Sequence, residues 1–73
     1  MSRTTETVFS PDALIDAMRE AGLTPQGLME ELGCGPDQIG RWMAGFAVPR
    51  PGYQKQIARI LGVSVDDLYE EVE

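Results

Sequence analysis

Apolar residues recur along this chain at helical spacing, in four short runs divided by glycines. Leu14, Ala17, Met18 and Ala21 form the first stripe, and Leu28 and Leu32 the second. Ile39, Trp42 and Met43 form the third, and Ile57, Ile60 and Leu61 the fourth. Intervals of three and four residues place each set on one side of an α-helix. The starts and stops agree. Ser10-Pro11 and Thr24-Pro25 each offer a capping hydroxyl followed by a proline at the first helical position, where a missing N–H costs nothing. Gly22, Gly33, Gly45 and Gly62 supply left-handed stops. Gly33-Cys34-Gly35 is a turn, and Pro36 opens the third helix. Phe46 to Gly52 is expected to be a loop stiffened by Pro49 and Pro51, with a fourth helix from about Tyr53 to Leu61. Val63 packs beneath, and Ser64 caps a final short helix holding Leu68, Tyr69 and Val72. The pattern predicts an N-terminal arm over residues 1–9 and one compact all-α domain of five helices over 10–73. There is no internal repeat or low-complexity tract, and the acidic end is expected to fray.

The third helix divides cleanly. At about 100° per residue, Ile39, Trp42 and Met43 fall inward, while Asp37, Gly40, Arg41 and Ala44 fall outward. Two short amphipathic helices joined by a glycine turn, the second exposing an arginine, form the pattern of a helix-turn-helix, which lays one helix in the DNA major groove.

Charge runs against that reading in total and with it in distribution. The formal net charge is −6. Residues 1–34 carry six acids against two bases, and residues 63–73 carry five acids and no base. Residues 35–62 hold four bases (Arg41, Arg50, Lys55 and Arg59) against Asp37 alone, a local +3 on the third and fourth helices.

Composition excludes several classes. Seventy-three residues make one domain, and a chain this short buries only about 60% of its unfolded surface. Cys34 is the single cysteine and there is no histidine, so neither a disulfide framework nor the usual zinc shell can form. No base is at hand to activate a nucleophile, so no enzyme and no cofactor is expected. No stretch is apolar enough to span a membrane, and Met1 to Val8 lacks the core of a signal peptide. A soluble, cytoplasmic protein is expected. Cys34 reads as a small buried filler, with no neighbouring cation to lower its pKa.

The ordered set Gly22-Leu23-Thr24, Leu28, Leu32-Gly33, Ile39, Arg41-Trp42, Gly45, Pro49 and Leu61-Gly62-Val63-Ser64-Val65-Asp66-Asp67-Leu68 resembles the phage-repressor helix-turn-helix family. These are the Cro-like and lambda-repressor-like, or XRE-type, domains. The resemblance covers roughly residues 12 to 70. It implies a five-helix lambda-repressor-like fold whose helices two and three form the motif, with helix three as reader. It further implies a transcriptional regulator that binds double-stranded operator DNA as a two-fold homodimer.

The candidate DNA-binding residues follow. Arg41 can donate two hydrogen bonds to guanine O6 and N7, worth about 1–3 kcal/mol of discrimination. The plainer reading of Arg41 is a solvated surface arginine of no special role, with or without a pair to Asp37 one turn earlier. Gly40 lets a backbone or groove wall come close. Asp37 could accept from a cytosine amine or repel phosphate, and Gln38 can reach base or phosphate. Pro36 and Asp37 stand at positions that resemble base-facing sites of the family. Trp42 belongs to the core.

Several positions depart from the family. Its members hold a phosphate with a glutamine at the start of helix two, where this chain has Pro25, and Gln26 is the candidate substitute. Ala44 replaces a polar residue, and Phe46, Ala47 and Val48 replace a basic loop. Arg50 and Lys55 remain as phosphate contacts. Relatives pair an arginine at the Met18 position with a glutamate at the Met43 position, so two methionines here suggest an apolar contact. Phe9, Phe46, Val48 and Tyr69 either complete a small core or form a partner surface such as a dimer contact.

Two functions remain open at this point. One is a sequence-specific DNA-binding regulator. The other is a protein-interaction module on the same fold, binding a regulator, polymerase or defence enzyme, with acidic surface as a DNA mimic.

Overall fold

A computed structural model describes residues 6–72. Strand β1 (Glu6–Phe9) leads into four helices, α1 (Pro11–Ala21), α2 (Pro25–Leu32), α3 (Pro36–Ala44) and α4 (Pro51–Leu61). A 3-10 turn (Val65–Leu68) and strand β2 (Tyr69–Val72) follow. The capping chemistry is as the sequence implies. The Ser10 hydroxyl accepts from Ala13 N–H at 3.1 Å, and the Thr24 hydroxyl accepts from Gly27 N–H at 3.0 Å. Proline opens every helix, and each helix ends on a glycine with positive φ. Gly45, at φ 83°, matters most, because it turns the chain sharply out of α3.

Three expectations are corrected. The fifth helix is a single 3-10 turn, after which the chain becomes a strand. A capping box closes that turn: Ser64 N–H donates to Asp67 and Asp67 N–H to the Ser64 hydroxyl. Tyr69 to Val72 then pair antiparallel with β1, from Phe9 opposite Tyr69 to Glu6 opposite Val72. The fold is therefore four α-helices plus a two-stranded ribbon, and the acidic end is paired as far as Val72 rather than frayed. Within the span read as an N-terminal arm, Glu6–Phe9 is strand, and residues 1–5 lie outside the described residues. Finally, α4 begins at Pro51 rather than near Tyr53, using the same proline device as the other helices.

The core joins Phe9, Leu14, Met18, Leu28, Ile39, Trp42, Ile57, Leu61 and Leu68. The ribbon is fixed to it at its base. Phe9 and Tyr69 meet edge-to-face at 6.0 Å, and Ser10 N–H donates to the Leu68 carbonyl at 2.8 Å. Phe9 is buried and Tyr69 half-buried, whereas Phe46 is 85% exposed and Val48 60%. Met18 and Met43 both line one open groove beside Leu23. Cys34 is half-buried rather than fully enclosed, and burial pushes its thiol pKa up.

Gln54 is the polar exception. It is 6% exposed, and both ends of its amide are used. Its Nε2 donates to the Pro49 carbonyl at 2.8 Å, and its Oε1 accepts from the Tyr69 hydroxyl at 2.9 Å. One side chain thereby ties the ribbon, α4 and the loop after α3 together. Gln54→Leu keeps the volume but strands the buried Pro49 carbonyl and the half-buried Tyr69 hydroxyl, an expected loss of about 1–3 kcal/mol. A thermal melt followed by circular dichroism checks it, with about 4–8 °C lost per kcal/mol. An unchanged midpoint would show that this link carries no weight.

Candidate nucleic-acid interface

Helix α3 is held from both ends. Pro36 fixes its first turn, and Gln38 N–H donates to the Gly35 carbonyl at 3.2 Å. At the far end the Arg41 carbonyl accepts from Phe46 N–H at 2.9 Å and Ala47 N–H at 3.3 Å. Ile39 and Trp42 are buried, and Met43 is half-buried. Pro36, Asp37, Gln38, Gly40, Arg41 and Ala44 are exposed. The inward and outward sets therefore fall as the spacing predicts. Nothing lies within 4 Å of where a Cβ on Gly40 would stand, so that stretch of helix backbone is open to approach.

The outward surface has two unlike sides. On one, Gln38, Arg41 and Arg50 line a depression of about 280 Å³ with Trp42, Ala47, Val48 and Tyr53. Its wall is the Trp42–Tyr53 pair, with ring centroids 5.3 Å apart between α3 and α4. Arg50 reaches this place because Pro49 is fully buried and its carbonyl is held by Gln54. Two guanidinium groups and an amide are among the groups lining it, donors of the kind that suit a phosphate or a guanine edge. Neither arginine has a carboxylate partner among the described residues, where the one ion pair is Arg19–Asp16 at 3.8 Å on the outside of α1. No ion pair between Arg41 and Asp37 forms, and Arg41 is solvated.

On the other side, Gln26, Pro36 and Gly40 line a groove of about 310 Å³ with Pro25, Met29, Ile39 and Met43. Gln26 is the only polar side chain there. The eight candidate residues are therefore divided, three beside the arginine depression and three around the apolar groove. Asp37 lies exposed on α3 and lines neither. Lys55 is exposed on α4, and steps of about 100° set it and Arg59 on a different stripe from Tyr53, which faces Trp42. Of the four bases in residues 35–62, Arg41 and Arg50 line the depression beside α3, and Lys55 and Arg59 do not.

Sequence reasoning missed the residues that place Arg50. Gln54 sits three residues before Ile57 and seven before Leu61, so the α4 wheel already put it inward. Its polar side chain hid that register.

Among the described residues no helix is long and apolar enough to cross a membrane. A family model described as a helix-turn-helix domain matches residues 12–71. Neither the curated proteins nor the solved structures gave a match to the chain.

Proposed function

The chain belongs to the helix-turn-helix domain family, and on that footing we propose that it is a sequence-specific, repressor-like transcriptional regulator of the phage-repressor type. It reads the major groove with α3 and acts as a homodimer. The observation that carries this reading is that Gln38, Arg41 and Arg50 line one depression beside α3, with both guanidinium groups unpaired among the described residues. Arg41 reaches a base edge, and Arg50 holds the neighbouring phosphate. Two cations per protomer make a small contact set, and a two-fold dimer doubles it across half-sites about 34–36 Å apart. The lone thiol of Cys34 fits a reducing cytoplasm. No catalytic role or cofactor enters this proposal.

The test is selection of bound duplexes from a random pool at low salt, using the full chain. The expected product is one enriched inverted repeat whose half-sites lie one DNA turn apart. A pool that stays random would end the proposal.

A further inference from the structure

The depression beside α3 is not wholly polar. Gln38, Arg41 and Arg50 line it together with Ala47 and Val48, and a site for a phosphate or a guanine edge alone has no use for the aliphatic part. Val48 is 60% exposed, so it presents apolar surface to solvent in the same depression as two arginines. The chain is fixed on both flanks of this residue. On one, Ala47 N–H donates to the Arg41 carbonyl at 3.3 Å. On the other, Pro49 is fully buried and its carbonyl accepts from Gln54 at 2.8 Å. Branching at Cβ restricts χ1 as well. The two methyl groups of Val48 are thus held in place before anything binds, and little freedom is lost when they make a contact.

Exposed apolar surface elsewhere has different surroundings. Val8 and Val72 stand on the ribbon, on one face with Glu6 and Glu70, whose charges repel phosphate. Phe46 is 85% exposed but does not line the depression. Among these residues, Val48 alone shares a depression with the cations assigned to DNA.

A duplex offers one apolar group to such a surface. Base edges in the major groove present hydrogen-bond donors and acceptors, and the C5-methyl of thymine is the exception. That methyl projects beside the backbone of its own strand, between the base edge and the phosphate. With Arg41 on a base edge and Arg50 on the neighbouring phosphate, the aliphatic part of the depression meets the groove where such a methyl lies. We propose that Val48 is a specificity-determining residue, packing on the C5-methyl of a thymine within one base pair of the guanine bound by Arg41. This contact rests on the regulator reading above and adds a second base to its half-site.

The experiment starts from the duplex selected at low salt and uses the full chain. Each thymine of a half-site is replaced in turn by deoxyuridine, which pairs with adenine in the same way and lacks only the C5-methyl. At one thymine, within one base pair of the guanine whose preference Arg41→Ala removes, the replacement is expected to weaken binding roughly fourfold. Val48→Ala should weaken the thymine duplex by a similar factor and bind the thymine and deoxyuridine duplexes alike, so the two changes do not add. Phe46→Ala should keep the full discrimination. All of these side chains are exposed, and a melt of each variant confirms folding. A selected half-site with no thymine there, or no position sensitive to deoxyuridine, would overturn the methyl contact. So would discrimination that survives Val48→Ala or disappears with Phe46→Ala. In each of those cases the selected duplex is still bound and the regulator reading stands. A pool that stays random ends the regulator reading and the contact with it.

Discussion

Trp42→Ala is expected to lower the thermal midpoint of this domain by tens of degrees. Truncating a buried tryptophan costs about 3–5 kcal/mol through lost transfer energy and the cavity left behind. A 73-residue domain has on the order of 4–11 kcal/mol to lose. Each kcal/mol is worth about 4–8 °C at this size. The side chain is 4% exposed and packs on Tyr53 at 5.3 Å, so its removal opens the seam between α3 and α4. The arginine depression shares that seam, and anion binding there should fail with the fold. Phe46→Ala is the matched control. It deletes another large ring, one that is 85% exposed, and should move the midpoint by no more than the roughly 0.5 kcal/mol of an ordinary surface change. Similar melts for the two variants would mean that Trp42 does not hold the helices together.

That contrast also shows what a linear pattern can and cannot reveal. The four helices were legible because their signals are local. Apolar intervals, a hydroxyl or proline at the start and a glycine at the stop lie within a dozen residues of one another. The ribbon was not legible, because β1 finds its partner at the opposite end of the chain and neither strand alternates clearly. Tyr69 and Val72 fit a helical spacing locally, and only the pairing with β1 sets Tyr69 against Phe9 and Val72 opposite Glu6. For the site, helical periodicity gave the direction of each α3 side chain relative to its own axis. It did not show which neighbour flanks that direction. Arg41 and Gly40 are adjacent in sequence and both exposed, yet one borders the α4 side and the other the α2 side. Lys55 illustrates the same gap from α4, since a local sum of charge over residues 35–62 does not show which side of α4 it occupies.

The second large effect is on binding. Arg41→Ala is expected to cost about 1–3 kcal/mol per half-site, or roughly 5- to 150-fold, and to relax sequence preference. The argument rests on where the guanidinium stands. It is exposed, has no acid partner among the described residues, and shares a depression with Arg50. Arg41→Lys separates base reading from simple charge. The ammonium restores attraction to the backbone but cannot present a planar fork to guanine, so affinity should recover more than selectivity. Arg50→Ala should behave in the opposite way. It should weaken all duplexes alike and reduce the slope of log K against log salt by about 0.9, the share of one phosphate. With two cations gathered on each protomer, the whole slope should be shallow beside that of proteins making 6–10 phosphate contacts. Salt titrations of the three variants on a selected duplex and on a scrambled one decide the matter. If Arg41→Ala kept full preference for the selected duplex, α3 would not be the reader, and the two arginines would mark only a generic anion surface.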